Sequence, residues 1–264
     1  MIMITSINEV PRYGQANSMS LKFALKQYVP SPILSTIRKV RLRQDMCRSA
    51  GRTHEQIFSE IYESGAWGGE PGTYSSGSGS HERLNDSYID LVLSLIKTEK
   101  VSRVVDLGCG DFRVGRRIIG HGAPYVGCDV VPGIIERVAK AFSRRGVEFK
   151  TIDIVSDPLP RGDLCIIRQV FQHLANNNIS AVLQKTRDYR LVLITDEQVR
   201  RDDASSNVDI LPFHGTRRVF GQGLRLERPP FCEKIDVLLE HSSGYGSPTA
   251  TYLRTVLIRN QVPA

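Results

Sequence analysis

From Asn85 onward, short apolar runs alternate with amphipathic stretches. Ser102–Leu107, Pro124–Val130, Val147–Ile152, Asp163–Arg168 and Leu191–Thr195 read as strands. Between them, Asp86–Thr98, Phe112–Gly120, Gly133–Arg145 and Ile179–Arg187 carry apolar residues at helical spacing. This alternation predicts parallel strands joined by right-handed helical crossovers. Residues 197–232 lose the rhythm and collect Pro, Gly and Arg. Two further strand candidates, Lys234–Glu240 and Tyr252–Arg259, are parted by Ser242-Ser243-Gly244-Tyr245-Gly246-Ser247-Pro248, which suits a terminal antiparallel hairpin. The expectation is an α/β domain over residues 85–264, preceded by a helical extension and loop over residues 1–84.

Upstream the pattern is weaker. Pro30-Ser31-Pro32 breaks two helical stretches, and Arg38-Lys39-Val40-Arg41-Leu42-Arg43 puts a basic face on the second. His54–Tyr62 has helical spacing, with Ile57, Phe58 and Ile61 on one side. Ala66–Gly72 and Ser75–Ser80 are loop by composition, which fits either a flexible linker or a clamp over a site. The loop holds Trp67, the chain's single tryptophan, and a linker has little use for one.

Composition narrows the class. At 264 residues and 29.5 kDa the chain suits one well-buried domain plus an extension. No apolar run approaches the roughly 20 residues of a membrane span, and the start has no signal-peptide pattern, so the expected location is cytoplasmic. Cys47, Cys109, Cys128, Cys165 and Cys232 are scattered, with no CxxC pair and no metal-ligand spacing. They are expected to be reduced, with no structural zinc. The net charge is +7. It admits an anionic partner, but aromatics are not interleaved with the charge, and a solvated arginine-rich surface is the simpler reading.

The chemistry concentrates at strand ends. Val104-Val105-Asp106-Leu107-Gly108-Cys109-Gly110-Asp111 is an apolar run ending in an acid and then a glycine-rich turn. Tyr125-Val126-Gly127-Cys128-Asp129-Val130 ends in a second acid, and Thr151-Ile152-Asp153-Ile154 supplies a third. A dinucleotide site wants its third glycine three residues after the second, where this chain has Arg113. Asp106 and Asp111 would be poor neighbours for a pyrophosphate and good ones for a cationic amino-acid group. The set resembles class I methyltransferases that use S-adenosylmethionine (SAM), and so implies a Rossmann-like, mostly parallel sheet. By that resemblance Asp106, Gly108, Cys109 and Gly110 form the first cofactor motif, and Asp129 beside Val130 binds the ribose. Asp153 beside Ile154 binds the adenine amino group. Ile61-Tyr62, Trp67-Gly68-Gly69, Ser76–Ser80, Asp111-Phe112 and Arg168-Gln169-Val170-Phe171-Gln172-His173-Leu174 are further similar to a subgroup of small bacterial methyltransferases, many of them encoded beside genes for surface glycans and secondary products. That subgroup carries Asp where this chain has Gln169, which removes a charged base from the position.

The resemblance implies methyl transfer to a small acceptor, and a hydroxyl acceptor calls for a general base. His173, after the fourth strand, is the first candidate, against a packing or capping role; His214 is the second. Arg168 ends the fourth strand and is counted with the cofactor-binding residues; a cation there disfavours a divalent metal, and it either binds an acidic substrate group or pairs with Asp106, Asp129 or Asp153. Asp196-Glu197 and Asn207–Asp209 fall in the irregular segment, where Arg217 and Arg218 are candidates to hold an anionic or glycan acceptor, unless they are simply exposed. Trp67 is a third acceptor-side candidate. Three other functions compete. An NAD-dependent oxidoreductase lacks its third glycine and a Tyr-x-x-x-Lys pair, and a nucleic-acid methyltransferase lacks its Asn/Asp-Pro-Pro-aromatic motif. The third is a non-catalytic SAM-binding protein.

Overall fold

The computed structural model describes residues 40, 44, 46–77, 79, 85–242 and 251–261. The Pro30–Pro32 break, most of the basic run over 38–43, Ser78, Ser80 and the turn from Ser243 to Pro248 lie outside the described residues. Residues from Leu42 to Ala264 make one compact unit, which contains everything that follows.

Seven strands form one sheet: β1 (Val104–Leu107), β2 (Tyr125–Asp129), β3 (Val147–Thr151), β4 (Leu164–Arg168), β5 (Leu191–Val199), β6 (Asp236–Ser242) and β7 (Thr251–Arg259). Their order is β3-β2-β1-β4-β5-β7-β6. The first five pair in parallel, and β7 runs antiparallel between β5 and β6. The strand order reverses between β1 and β4, which opens a crevice at the carboxyl edge. β1, β2 and most of β4 are buried on both faces, which explains their unbroken apolar runs.

Among the described residues, four helices with complete bounds pack on the sheet: α1 (His54–Glu63), α2 (Asp86–Thr98), α3 (Pro132–Phe142) and α4 (Asn176–Lys185). α1 starts at a capping box in which Thr53 Oγ1 accepts from Gln56 N and the Gln56 side chain accepts from Thr53 N. It buries Ile57, Phe58, Ile61 and Tyr62 in the same core as the strands.

Two expectations are corrected. Phe112–Gly120 is no α-helix; only the single 3-10 turn Gly115–Arg117 forms there. Phe112 takes φ +64° and drives its ring into Tyr125, Phe142 and Phe149. A Cβ at Gly115 would lie 2.3 Å from the Phe112 ring and 2.5 Å from the Tyr125 hydroxyl, so the chain passes this aromatic cluster only as glycine. The second correction lengthens β5, which runs on through Asp196, Glu197 and Gln198 to Val199, because β7 pairs with it from Arg259 back to Thr251. Those polar residues looked like the start of an irregular segment; they are buried strand.

Candidate active site

The turn after β1 is shaped by two glycines in the left-handed region, Gly108 at φ +84° and Gly110 at φ +54°. Both are also places of close approach. A Cβ at Gly108 would meet Val170 Cγ2 at 2.3 Å, and one at Gly110 would meet Ser76 Oγ at 2.4 Å. The turn is therefore closed from one side by the chain after β4 and from another by the loop after Trp67.

Three carboxylates gather along the crevice. Asp106, inside β1, accepts from the Tyr125 hydroxyl and is pushed up to about 6 by burial, with the Arg168 charge acting in the other direction. Asp129, at the end of β2, accepts from Gly110 N at 3.1 Å and Val131 N at 3.1 Å, yet burial still pushes it up to about 6. Asp153, after β3, stays partly open, with 23% of its side chain exposed. It accepts from Val155 N at 2.9 Å, and its Oδ2 lies 2.9 Å from His54 Nδ1 at the start of α1. Burial raises its pKa, but the His54 and Val155 hydrogen bonds outweigh that and hold it below the usual carboxylate value.

Asp111 builds a bridge that composition alone did not show. Its Oδ2 accepts from Ser76 N at 2.9 Å, while Ser76 Oγ accepts from Asp111 N at 2.9 Å. The Tyr62 hydroxyl lies 3.0 Å from the same Ser76 Oγ. α1, the Ser76 loop and the glycine turn are thus one hydrogen-bonded unit. Trp67 extends it: the indole Nε1 donates to His214 O at 2.9 Å, and the ring packs against Phe58, Tyr62 and His173. The linker reading fails, since a linker has no such anchorage. The ring that was a candidate to contact an acceptor is used in bracing α1 against the 214 loop.

His173 sits in the 3-10 turn Phe171–His173, and both ring nitrogens are occupied. Nδ1 is 2.9 Å from Gly215 O, which requires the proton on Nδ1. Nε2 then accepts from Gln172 Nε2 at 3.2 Å, and the Gln172 orientation follows because its Oε1 accepts from Glu197 N. Burial pushes the imidazole down to about 4, so it is neutral near pH 7. His214 differs. Its ring is half-buried against Phe213, with no hydrogen-bond partner for either nitrogen among the described residues.

The arginines divide as well. Arg168 directs its Nη atoms to Gly79 O, Asn85 Oδ1 and Gln169 Oε1 and stacks over Tyr88, so it fastens the start of α2 to the end of β4. Arg217 is corrected outright. It is 1% exposed, neither an exposed loop residue nor a substrate clamp. Its guanidinium donates to Val208 O, Phe171 O, Leu174 O and Asn176 Oδ1. Arg218 is half-buried and pairs with Glu197 at 3.0 Å.

The residues fit SAM on their own terms. Buried carboxylates raised by desolvation favour a ligand that brings positive charge, and Asp106, Asp129 and Asp111 lie together at a turn whose glycines admit a close backbone approach. Among the described residues no group of His, Cys, Asp or Glu could hold a metal ion.

Residues 104–189 match the family model described as a methyltransferase domain. No curated protein sequence matches the chain significantly. Among solved structures, coclaurine N-methyltransferase bound to N-methylheliamine and S-adenosylhomocysteine (SAH) aligns with a TM-score of 0.52 at 13% identity, over 91% of this chain and 100% of its own. The N-terminal domain of EvdMO1 with SAH bound aligns at 0.50 and 15% identity, over 71% and 87%. The N-methyltransferase NodS from Bradyrhizobium japonicum WM9 in complex with SAH has a TM-score of 0.47 at 16% identity, over 67% and 91%. The first two share the fold. With a methyltransferase domain matched over residues 104–189 and a Rossmann-like sheet of strand order β3-β2-β1-β4-β5-β7-β6, this chain has the class I methyltransferase fold.

Proposed function

We propose that the chain methylates a hydroxyl of a small acceptor, a sugar or glycan intermediate in keeping with the subgroup it resembles. The observation that carries the cofactor half is the set Asp106 near the end of β1, Asp129 at the end of β2 and Asp153 after β3, on three adjacent strands, with the Gly108–Gly110 turn following the first. Asp129 beside Val130 holds the ribose, Asp153 beside Ile154 the adenine, and the turn with Cys109 the amino-acid end. SAM, when bound, supplies a methyl group already activated by its sulfonium.

The chain's own residues then have three tasks: to align the acceptor, to exclude water and to take its proton. His214 is the base in this reading, because of the two candidate histidines it is the one whose ring nitrogens have no partner among the described residues. His173, neutral and held at both nitrogens, is a positioning residue that fixes Gly215 and the Trp67 ring. Arg218, paired with Glu197, is the residue this reading assigns to the polar groups of the acceptor. The guanidinium of Arg168 at the end of β4 disfavours a metal-assisted route.

Calorimetry with SAM and SAH tests the cofactor half: micromolar binding is expected, weakened about tenfold or more in Asp129→Asn. Release of SAH across a panel of sugar acceptors tests the other half. His214→Ala is expected to abolish turnover while SAM affinity stays. Turnover unchanged in that variant would remove the base from His214, and failure of every hydroxyl acceptor beside success of an amine would replace the acceptor class.

A further inference from the structure

α1 touches the crevice at both ends. Its first residue, His54, lies 2.9 Å from Asp153 Oδ2 after β3. Two turns later Tyr62 reaches Ser76 Oγ, which is bonded to Asp111 N beyond the glycine turn after β1. At about 1.5 Å per residue the two contacts are about 12 Å apart along the helix. Between them Phe58 and Ile61 are buried in the sheet's own core, so the helix is held as a rigid bar and not as a tethered arm. The capping box at Thr53 and Gln56 orders its first turn, which carries His54.

From this geometry we infer that His54 is a positioning residue for adenine recognition: it holds the Asp153 carboxylate in the orientation that accepts the adenine amino group. The inference rests on the placement of Asp153 at the base. The carboxylate has four lone-pair sites. His54 takes one on Oδ2 and Val155 N one on Oδ1. The exposed remainder is left to a donor from the crevice. Without His54 the carboxylate keeps the Val155 tether and a Ser156 hydroxyl contact but loses the partner that fixes Oδ2. The other charged groups near Asp153 do not replace the imidazole. Asp157 Oδ2 accepts from Asp153 N, and Lys185 Nζ is spent on the Val155 and Asp157 carbonyls.

The test compares SAH with S-inosylhomocysteine, which carries an oxo group where SAH has the amino group, by calorimetry on the full chain. Wild type is expected to prefer SAH, and Asp153→Asn to lose that preference. His54→Ala is expected to weaken SAH by about tenfold with little change for the inosyl ligand, the loss of an oriented hydrogen bond to a charged group. His54→Asn, whose Nδ2 stands as many bonds from Cα as the imidazole Nδ1, is expected to restore the preference. His54→Gln, with its nitrogen one bond farther out, is not. A merely structural role would weaken both ligands together and would not separate Asn from Gln. If Asp153→Asn loses the preference and all three His54 variants keep it, His54 positions nothing and the adenine assignment stands. If Asp153→Asn keeps it too, the adenine assignment falls and this inference with it.

Discussion

Single residues at this site are governed by burial more than by formal charge. Asp196 shows this most sharply. Its Oδ1 accepts from Gln172 N at 3.2 Å, its Oδ2 has no partner among the described residues, and burial pushes it up to about 8. A folded-state pKa raised above the unfolded value means that stability is fully present below about pH 4 and is lost as pH climbs towards 8. Asp196→Asn removes that loss, because an amide carries no charge and still offers Oδ1. The melting temperature of the variant should be close to wild type at pH 4 and higher by several degrees at pH 9. An equal difference at both pH values would show that Asp196 is not titrating. His173 has the opposite sign. Its depressed pKa contributes stability that is present above pH 6.5 and lost as pH falls towards 4, and His173→Gln should flatten the acid limb of the melting curve over that window.

Arg217 is the residue whose type misled most. Arginines in an irregular, Pro- and Gly-rich segment read as surface charge or anion clamp, yet this one ties three backbone carbonyls and Asn176 together inside the protein. Arg217→Ala would leave those acceptors buried without donors, at a cost of about 3–5 kcal/mol. Urea unfolding should show it as a fall in midpoint. Arg217→Lys should recover little, since an ammonium cannot match the planar fork. A normal midpoint with a raised acceptor KM would return Arg217 to the substrate.

Among the elements, the turn over Gly115–Arg117 carries the clearest lesson. Helical spacing was present in Phe112–Gly120, but the Phe112 ring and the Tyr125 hydroxyl occupy the volume that a helix with side chains would need. Gly115→Ala should therefore destabilise the fold by about 1–3 kcal/mol through overpacking, in spite of the better helix propensity of alanine. Thermal unfolding would read the change, and a stabilised variant would mean that the segment is free to become helical. Gly108→Ala belongs to the same scale. A Cβ there meets Val170 Cγ2 at 2.3 Å and sits on a left-handed backbone, so SAH affinity should fall together with stability. β5 illustrates the converse error. Asp196, Glu197 and Gln198 break the apolar pattern, and only pairing with β7 and partners such as Gln172, Arg218 and Leu224 allow them in a strand.

Across the whole molecule, the alternating pattern from Asn85 to Thr195 was enough to predict a parallel sheet, because strands buried on both faces must be apolar along their length. The acids at the strand ends were legible for the same reason: a carboxylate closing an apolar run stands out against it. The hairpin of β6 and β7 was equally visible, and Asp86–Thr98 is a helix with the expected bounds. These features rest on neighbours in the chain, where periodicity and turn chemistry act. The tertiary structure alone decided which polar residues are spent on the fold and which are left for chemistry. His54 meets Asp153, Ser76 meets Asp111, Trp67 meets His214 and Arg217 meets Phe171 across gaps that no local pattern spans. A side chain's pKa and its spare hydrogen bonds depend on what folding packs around it, and that packing is settled only when the whole sheet has closed.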